Sequence, residues 1–140
     1  MRLLLAVDGS SFTQKALVFL AAHPELLSAG EEFVLLNVQP PVPGRVITML
    51  GSADVAAYHL EEAAAVLDPA HQWLDQQGLP HRSVSVVGHA VDEIVAAAAR
   101  ENVDMIVMGT HGLGWLGRAL VGSIAQRVIS ESDRPVLLVK

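Results

Sequence analysis

The stretch MIVMGTHGLGWLGRALVGS at residues 105–123 decides the fold. Its first four residues form an apolar run that predicts a buried strand, and Gly109 follows at once. Five of the chain's eleven glycines fall between residues 109 and 123, which is typical of backbone that turns tightly or approaches a ligand. Gly122 and Ser123 then open a helical pattern that extends to Ser130. A strand, a glycine-rich loop and a helix in this order predict one unit of a parallel α/β sheet.

The same alternation of apolar strands and helices extends outward to both ends of the chain. We predict further strands at Leu3–Val7, Phe33–Val38, Val84–Val87 and Pro135–Val139. Helical patterns cover Thr13–Ala22, with Ser10 or Ser11 as the cap, and then Ala53–Gln77 and Asp92–Arg100. The sequence therefore predicts an α/β fold, with residues 1–140 as a single domain built on an open five-stranded parallel sheet with helices on both faces.

Two segments interrupt this pattern. Residues 39–52 hold three prolines and are predicted to be the longest irregular segment. Pro69 lies inside the second helical pattern and predicts a kink or a break near Asp68, because proline lacks an N–H and clashes with the preceding turn.

Composition excludes several classes of protein. The net charge of −6 argues against a sequence-independent grip on nucleic acid and against docking on an anionic membrane. The absence of cysteine excludes disulfides, thiolate metal sites and a cysteine nucleophile. The apolar run at Leu3–Val7 is too short for an export signal, so we expect a cytoplasmic protein. The six histidines lack metal-ligand spacing.

Three motif interpretations compete for the glycine-rich segment. Residues 112–117 match the dinucleotide fingerprint G-x-G-x-x-G, but they follow the fourth predicted strand instead of the first, and we treat the match as coincidence. Residues 112–119 approach a Walker A loop but lack its lysine and its hydroxyl residue. The spacing from Gly109 to Gly112, Gly122 and Ser123 is G-x2-G-x9-G-(S/T). Free N–H groups at the start of the following helix favour phosphate.

That third spacing resembles the ATP-binding branch of the universal stress protein family. The opening LLLAVDGS at residues 3–10, VDMIVMG at 103–109 and PVLLV at 135–139 are also similar to that family's first, fourth and closing strands. The resemblance implies a Rossmann-like fold of the adenine nucleotide alpha hydrolase type, which binds ATP together with Mg²⁺ or Mn²⁺ held by the phosphates. One departure is Gly88-His89-Ala90, where members often carry a proline.

The resemblance also implies a role for individual residues. Ala6 and Val38 would line the adenine pocket, and Asp8 would lie near the ribose and the phosphate-bound cation. Gly109 and Gly112 would approach the ribose and the α-phosphate, while the N–H groups from Gly122 onward would meet the β- and γ-phosphates. The full set of expected binding residues is Ala6, Asp8, Val38, Met108, Gly109, Thr110, His111, Gly112, Gly122, Ser123 and Ile124.

Several of these residues admit a second interpretation. Asp8 is also a good turn former or helix cap, and His111 is either a phosphate contact or base, or simply an exposed loop residue. Arg118 either neutralises phosphate or is solvated. Trp115 and Leu116 are expected to pack on the sheet or on a partner chain.

The leading functional hypothesis is a regulatory protein that binds an adenine mononucleotide, without a dedicated catalytic apparatus. The alternatives are an enzyme that cleaves ATP, at most a slow ATPase, and an interaction module whose site is vestigial. The resemblance places the closing strand at a sheet edge, where unpaired backbone groups predict an antiparallel homodimer.

Overall fold

The computed structural model describes residues 1–112 and 120–140, and its centre is a five-stranded parallel sheet. The strands are β1 Leu3–Ala6, β2 Phe33–Gln39, β3 His81–Val87, β4 Met105–Gly109 and β5 Val136–Val139. They pair in the order β3-β2-β1-β4-β5, with all four pairings parallel. The predicted α/β class and open five-stranded sheet are confirmed.

Five helices connect and cover these strands within the described residues. They are α1 Ser11–Ala22, α2 Gly44–Leu50, α3 Ser52–Gln76, α4 Ala90–Arg100 and α5 Ser123–Glu131, and a short 3-10 turn spans Pro24–Leu26. Ser10 caps α1, since its side chain accepts the N–H of Thr13 at 3.3 Å. That outcome settles the choice between Ser10 and Ser11.

The central strand β1 is covered on both faces. Leu3 and Leu5 pack in the cluster that contains α1 and α3, whereas Leu4 packs with α4 and α5 on the opposite face. Alternate side chains of a strand point to opposite faces, so a strand covered on both sides must be apolar at every position. This is why β1 is an unbroken apolar run in the sequence.

Two elements differ from the sequence predictions. The segment predicted to be irregular contains α2, which begins after Pro43 and ends at Gly51, whose φ is +86°. Strand β3 begins at His81 instead of Val84. Its first three residues were missed because β3 lies at a sheet edge, where polar and half-exposed side chains replace a continuous apolar run.

Helix α3 continues through Pro69, so a break near Asp68 is wrong. Pro69 itself is exposed, while Leu67, Ala70 and Leu74 around it are buried against the sheet. Burial of these apolar side chains offsets the missing hydrogen bond to the carbonyl of residue 65. None of the helices within the described ranges is long and apolar enough to cross a bilayer.

Replacing Pro69 tests how much this interruption destabilises α3. Pro69→Ala restores an N–H at an exposed position of the helix interior, and we expect the free energy of unfolding to rise by about 1 kcal/mol or more. Urea denaturation measures the change. Glu62→Ala, an exposed change on the same helix, should shift it by less than about 0.5 kcal/mol. A fall in the stability of Pro69→Ala would contradict the expectation.

Candidate functional site

A cleft of about 420 Å³ opens at the carboxyl ends of the strands. It lies where the strand order reverses, because the chain passes from β1 toward β2 on one side and from β4 toward β5 on the other. Open α/β sheets bind ligands at this point. All the residues expected from the sequence to bind nucleotide lie in its lining: Ala6, Asp8, Val38, Met108, Gly109, Thr110, His111, Gly112, Gly122, Ser123 and Ile124.

The turn after β1 fixes the carboxylate of Asp8. Its Oδ1 accepts the N–H of Ser10 at 2.9 Å and the hydroxyl of Thr13 at 2.7 Å. Thr13 Oγ1 in turn accepts the backbone N–H of Asp8 at 3.2 Å. Asp8 is therefore a turn former and a cleft residue at once, because one carboxylate oxygen holds the turn while Oδ2 faces Gly112.

One end of the cleft is apolar and presents backbone groups. Its walls include Leu36 and Ile94 beside the predicted Ala6 and Val38. Leu36 O accepts the N–H of Val7 at 2.8 Å, so the even residues of β2 direct their backbone groups toward β1. The paired part of β1 ends at Ala6, and the N–H and C=O of Val38 therefore point into the space beyond it.

The opposite end of the cleft is the N-terminus of α5. Gly122 is the residue before its first turn and supplies no side-chain cap, while the first intrahelical bond runs from Gln126 N to Gly122 O at 3.0 Å. The N–H groups of Ser123, Ile124 and Ala125 thus have no intrahelical acceptor. Ser123 does not cap the helix, because it is already its first helical residue.

An added side chain would be crowded at two glycines of the motif. A Cβ at Gly109 would overlap the Cβ of Phe12 in α1, and one at Gly122 would lie 3.1 Å from the carbonyl oxygen of Thr110. The N–H of Gly122 donates to that same oxygen at 2.7 Å. Glycine at these positions lets β4 approach α1 and lets α5 begin directly beside the end of β4.

His111 is half-buried and lines the cleft, so the alternative of an exposed loop histidine is wrong. Its ring lies 5.0 Å from the ring of Phe12, and its Nδ1 is 3.0 Å from Thr110 Oγ1. These contacts orient the imidazole at the edge of the cleft. The interpretations of Trp115, Leu116 and Arg118 fall outside the described residues, as do those of Gly114 and Gly117.

A model of the universal stress protein family matches residues 1–140 of this chain. The chain belongs to the universal stress protein family. A universal stress protein encoded 3′ of a QAH/OAS sulfhydrylase in Thermus aquaticus is 33% identical over 99% of this chain and 97% of its own length.

Solved structures of other members have the same fold. That of the hypothetical protein MJ0577 is 31% identical, with a TM-score of 0.81 over 99% of this chain and 95% of its own. A universal stress protein from Archaeoglobus fulgidus, in complex with dAMP, is 24% identical with a TM-score of 0.72 over 100% of this chain and 98% of its own.

Several lining residues of this universal stress protein were missed by sequence reasoning: Val7, Thr13, Leu36, Pro40, Gly88, Ala90, Ile94 and Ala125. Most are apolar, and nothing in a sequence separates a core position from one at the end of a strand. Thr13 could have been predicted, because a hydroxyl residue five positions after an aspartate that ends a strand can hydrogen-bond to the carboxylate of that aspartate. Asn37 was also missed: it is buried, and its Nδ2 donates to Val7 O at 2.9 Å, directly before Asp8.

The carboxylate of Asp8 is the one acidic group among the described lining residues, and these include no lysine or arginine. Across the described chain, no three His, Cys, Asp or Glu side chains are grouped as ligands of a metal. A single carboxylate suits Mg²⁺ that takes its remaining ligands from phosphates and water, since this ion seldom occupies an all-protein cage.

Removing the Thr13 hydroxyl tests the turn that holds Asp8. Thr13→Val keeps the shape of a buried side chain but deletes both of its hydrogen bonds with Asp8, so we expect a loss of about 1–3 kcal/mol in the free energy of unfolding. Thr48→Val removes an exposed hydroxyl on α2, bonded to Gly44 O at 3.1 Å, and should change it by less than about 0.5 kcal/mol. Equal effects in urea denaturation would contradict this account.

Proposed function

We propose that this universal stress protein is a regulatory protein that binds ATP in the cleft between β1, β2, β4 and α5. The observation that carries the proposal is the open N-terminus of α5, which faces an apolar pocket across the carboxyl ends of the strands. An adenine nucleotide has the matching polarity, because a flat apolar base is joined to a chain of anionic phosphates.

The apolar end suits the base. Ala6, Leu36 and Ile94 offer contact area, and the backbone of Val38 offers a donor and an acceptor to the edge of adenine. A small number of polar groups among apolar walls is the usual composition of a small-molecule site. The fold neighbour from Archaeoglobus fulgidus, solved with dAMP, supports an adenine ligand as the first choice to test.

The phosphates would meet the N–H groups of Ser123, Ile124 and Ala125. These groups are the positive end of the α5 dipole, which favours anions. Since the described lining holds no lysine or arginine, neutralisation falls to the helix terminus and to a divalent cation. Asp8 would hold that cation through its carboxylate, which lines the cleft. The cation would neutralise phosphate charge.

A negative charge at the start of α5 should weaken triphosphate binding without unfolding the protein. Ser123→Asp places a carboxylate in the first turn, where it stabilises the helix by about 0.3–1 kcal/mol but repels phosphate. We expect ATP affinity, measured by calorimetry with Mg²⁺, to fall at least tenfold, and AMP affinity to fall less. The wild-type chain should bind ATP more weakly in EDTA.

Two controls accompany this variant. Ser123→Asn keeps the shape without the charge and should retain most of the ATP affinity. Ser130→Asp adds the same charge at the exposed far end of α5 and should leave binding unchanged. Failure of the wild-type chain to bind ATP, ADP or AMP at millimolar concentration would overturn the proposed function.

The proposal includes a homodimer through β5, in keeping with a regulator whose bound and free states differ in assembly. Strand β5 lies at an edge of the sheet. Pro135 O accepts the N–H of Ile106 in β4, and Val139 O accepts that of Thr110 directly after β4. The odd residues of β5 therefore face β4, and the backbone groups of Val136 and Leu138 face outward. Outward groups on an edge strand are available to a second copy in antiparallel pairing.

Leu138→Pro tests this pairing, because it removes an outward N–H while sparing the ladder with β4. We expect light scattering to give the wild-type chain at least twice its 14.9 kDa mass and the variant half as many chains per particle. A cooperative thermal transition of the variant controls for folding. A wild-type mass of one chain would contradict the proposed dimer.

A further inference from the structure

The opposite edge of the sheet is β3, and it also presents unpaired backbone groups. Gly88 N donates to Gln39 O at 2.9 Å, and Pro80 O accepts from Phe33 N at 2.9 Å. The backbone groups of the even-numbered residues from 80 to 88 therefore face β2. Successive residues alternate in direction, and the N–H and C=O groups of Ser83, Ser85 and Val87 therefore face outward. Within the described residues, β3 pairs with β2 alone.

The central and C-terminal part of this edge lacks the residues that usually protect an exposed strand. Residues 83–87 read SVSVV, with no charge and no proline, although lysine, proline and short length are the usual means of blocking an exposed strand. At seven residues β3 is longer than β5, which has four; each of the two strands directly follows a proline, Pro80 and Pro135. Val87 is 47% exposed, which adds an apolar side chain to the open edge.

One side of α3 extends the open edge into a surface that is mainly apolar but includes the exposed Asp68. Helix α3 packs over β2 and β3, and His71 on this side reaches Ser83 Oγ at 2.9 Å. Leu60 and Ala64 precede His71 by eleven and seven residues, which places them on the same side of the helix. Leu60 is 70% exposed, and Ala53 and Ala57 continue the same exposed side.

The spacing of a sheet makes this surface complementary to itself. If a second β3 lies about 4.8 Å beyond the first, the α3 helices of the two copies, each above its own β2 and β3, are separated by about two strand spacings. That separation is about the 8–10 Å between the axes of two packed helices. Small residues such as Ala64 permit this approach, and Leu60 fills the space beside them.

The charges also agree with self-pairing. Arg82 is the one charged residue of β3 other than His81, and it is held by Glu101, to which it donates, and by Glu32 at 3.7 Å. In an antiparallel register centred on Ser85, Arg82 of one copy lies opposite Gly88 of the other. The side chain of Glu93 covers Gly88, so each arginine gains a further carboxylate across the contact.

We propose that β3 is a second self-association site, at which two copies pair antiparallel about a two-fold axis through Ser85 and pack α3 against α3. The register joins Ser85 to Ser85 and Ser83 to Val87, with about six main-chain hydrogen bonds. This contact lies at the edge opposite β5, so it stands apart from the β5 dimer; Gly88, at one end of the register, also lines the cleft.

Cysteine cross-linking tests the register on a clean background, because the chain contains no cysteine. Ser85→Cys places two thiols on facing residues, about 5.5 Å apart between Cα atoms, and a short bis-maleimide should join them. Ser83→Cys sets the thiols about 13 Å apart along the strands. We expect at least ten times more cross-linked dimer from Ser85→Cys than from Ser83→Cys or from Ser130→Cys on α5. Equal yields would overturn the proposal.

Two further variants test the helix contact and the edge. Adding Leu60→Glu to Ser85→Cys should reduce the cross-linked yield about tenfold, and an unchanged yield would exclude the packing of α3 on α3. Ser85→Lys places like charges opposite each other and should lower the particle mass in concentrated solution, whereas Ser130→Lys should not. An equal mass for both lysine variants would count against the β3 contact. ATP affinity should be the same in all of them, so loss of cross-linking is separable from failure of the nucleotide site.

Discussion

The position of β1 between β2 and β4 is the constraint on which the rest of the structure depends. Because β1 is hydrogen-bonded on both sides and covered on both faces, the chain can leave its carboxyl end only along the edge of the sheet. The chain goes from β1 to one side and from β4 to the other, and a gap opens between the two departing segments. This gap is the cleft, and its walls are the carboxyl ends of the strands that the departing segments leave uncovered.

Stability and binding make opposite demands on the two helices that begin at the cleft. Helix α1 has a capping side chain in Ser10, whereas α5 begins after Gly122 with no side-chain cap. A serine or aspartate at that position would improve the cap by only a few tenths of a kcal/mol over glycine, and its Cβ would lie 3.1 Å from Thr110 O. The same side chain would occupy the N–H groups that an anion needs. An uncapped helix in an otherwise well-satisfied fold therefore marks the functional end of the cleft.

The two edges of the sheet raise a different physical problem. A parallel sheet with five strands always leaves two rows of backbone groups unpaired, one on β3 and one on β5. On β5 the exposed row is short, while on β3 it is longer and lies beneath one side of α3. Solvent satisfies such groups in a single chain, but a second copy satisfies them equally well and also covers apolar area. Association at the edges thus follows from the architecture that creates the cleft.

The sequence by itself determined the class of the fold and eleven of the residues that line the cleft. Apolar runs at Leu3–Val7 and Phe33–Val38 are unambiguous because both faces of those strands are buried, and the glycine spacing from Gly109 to Gly122 reflects backbone that cannot carry a Cβ. These local requirements depend on the type of residue at each position. They can therefore be recognised without knowing which residues pack against those positions in the fold.

Only the tertiary structure decided which neighbours those residues have. The continuation of α3 through Pro69, the beginning of β3 at His81 and the hold of Thr13 on Asp8 all depend on contacts between segments far apart or on opposite sides of a turn. Burial of Leu67 and Leu74 overrides the local preference of proline, and an edge position permits a polar strand. Secondary-structure propensity acts within a few residues, whereas packing energy is shared across the whole sheet. The sequence determined the features of short range, and the fold decided those of long range.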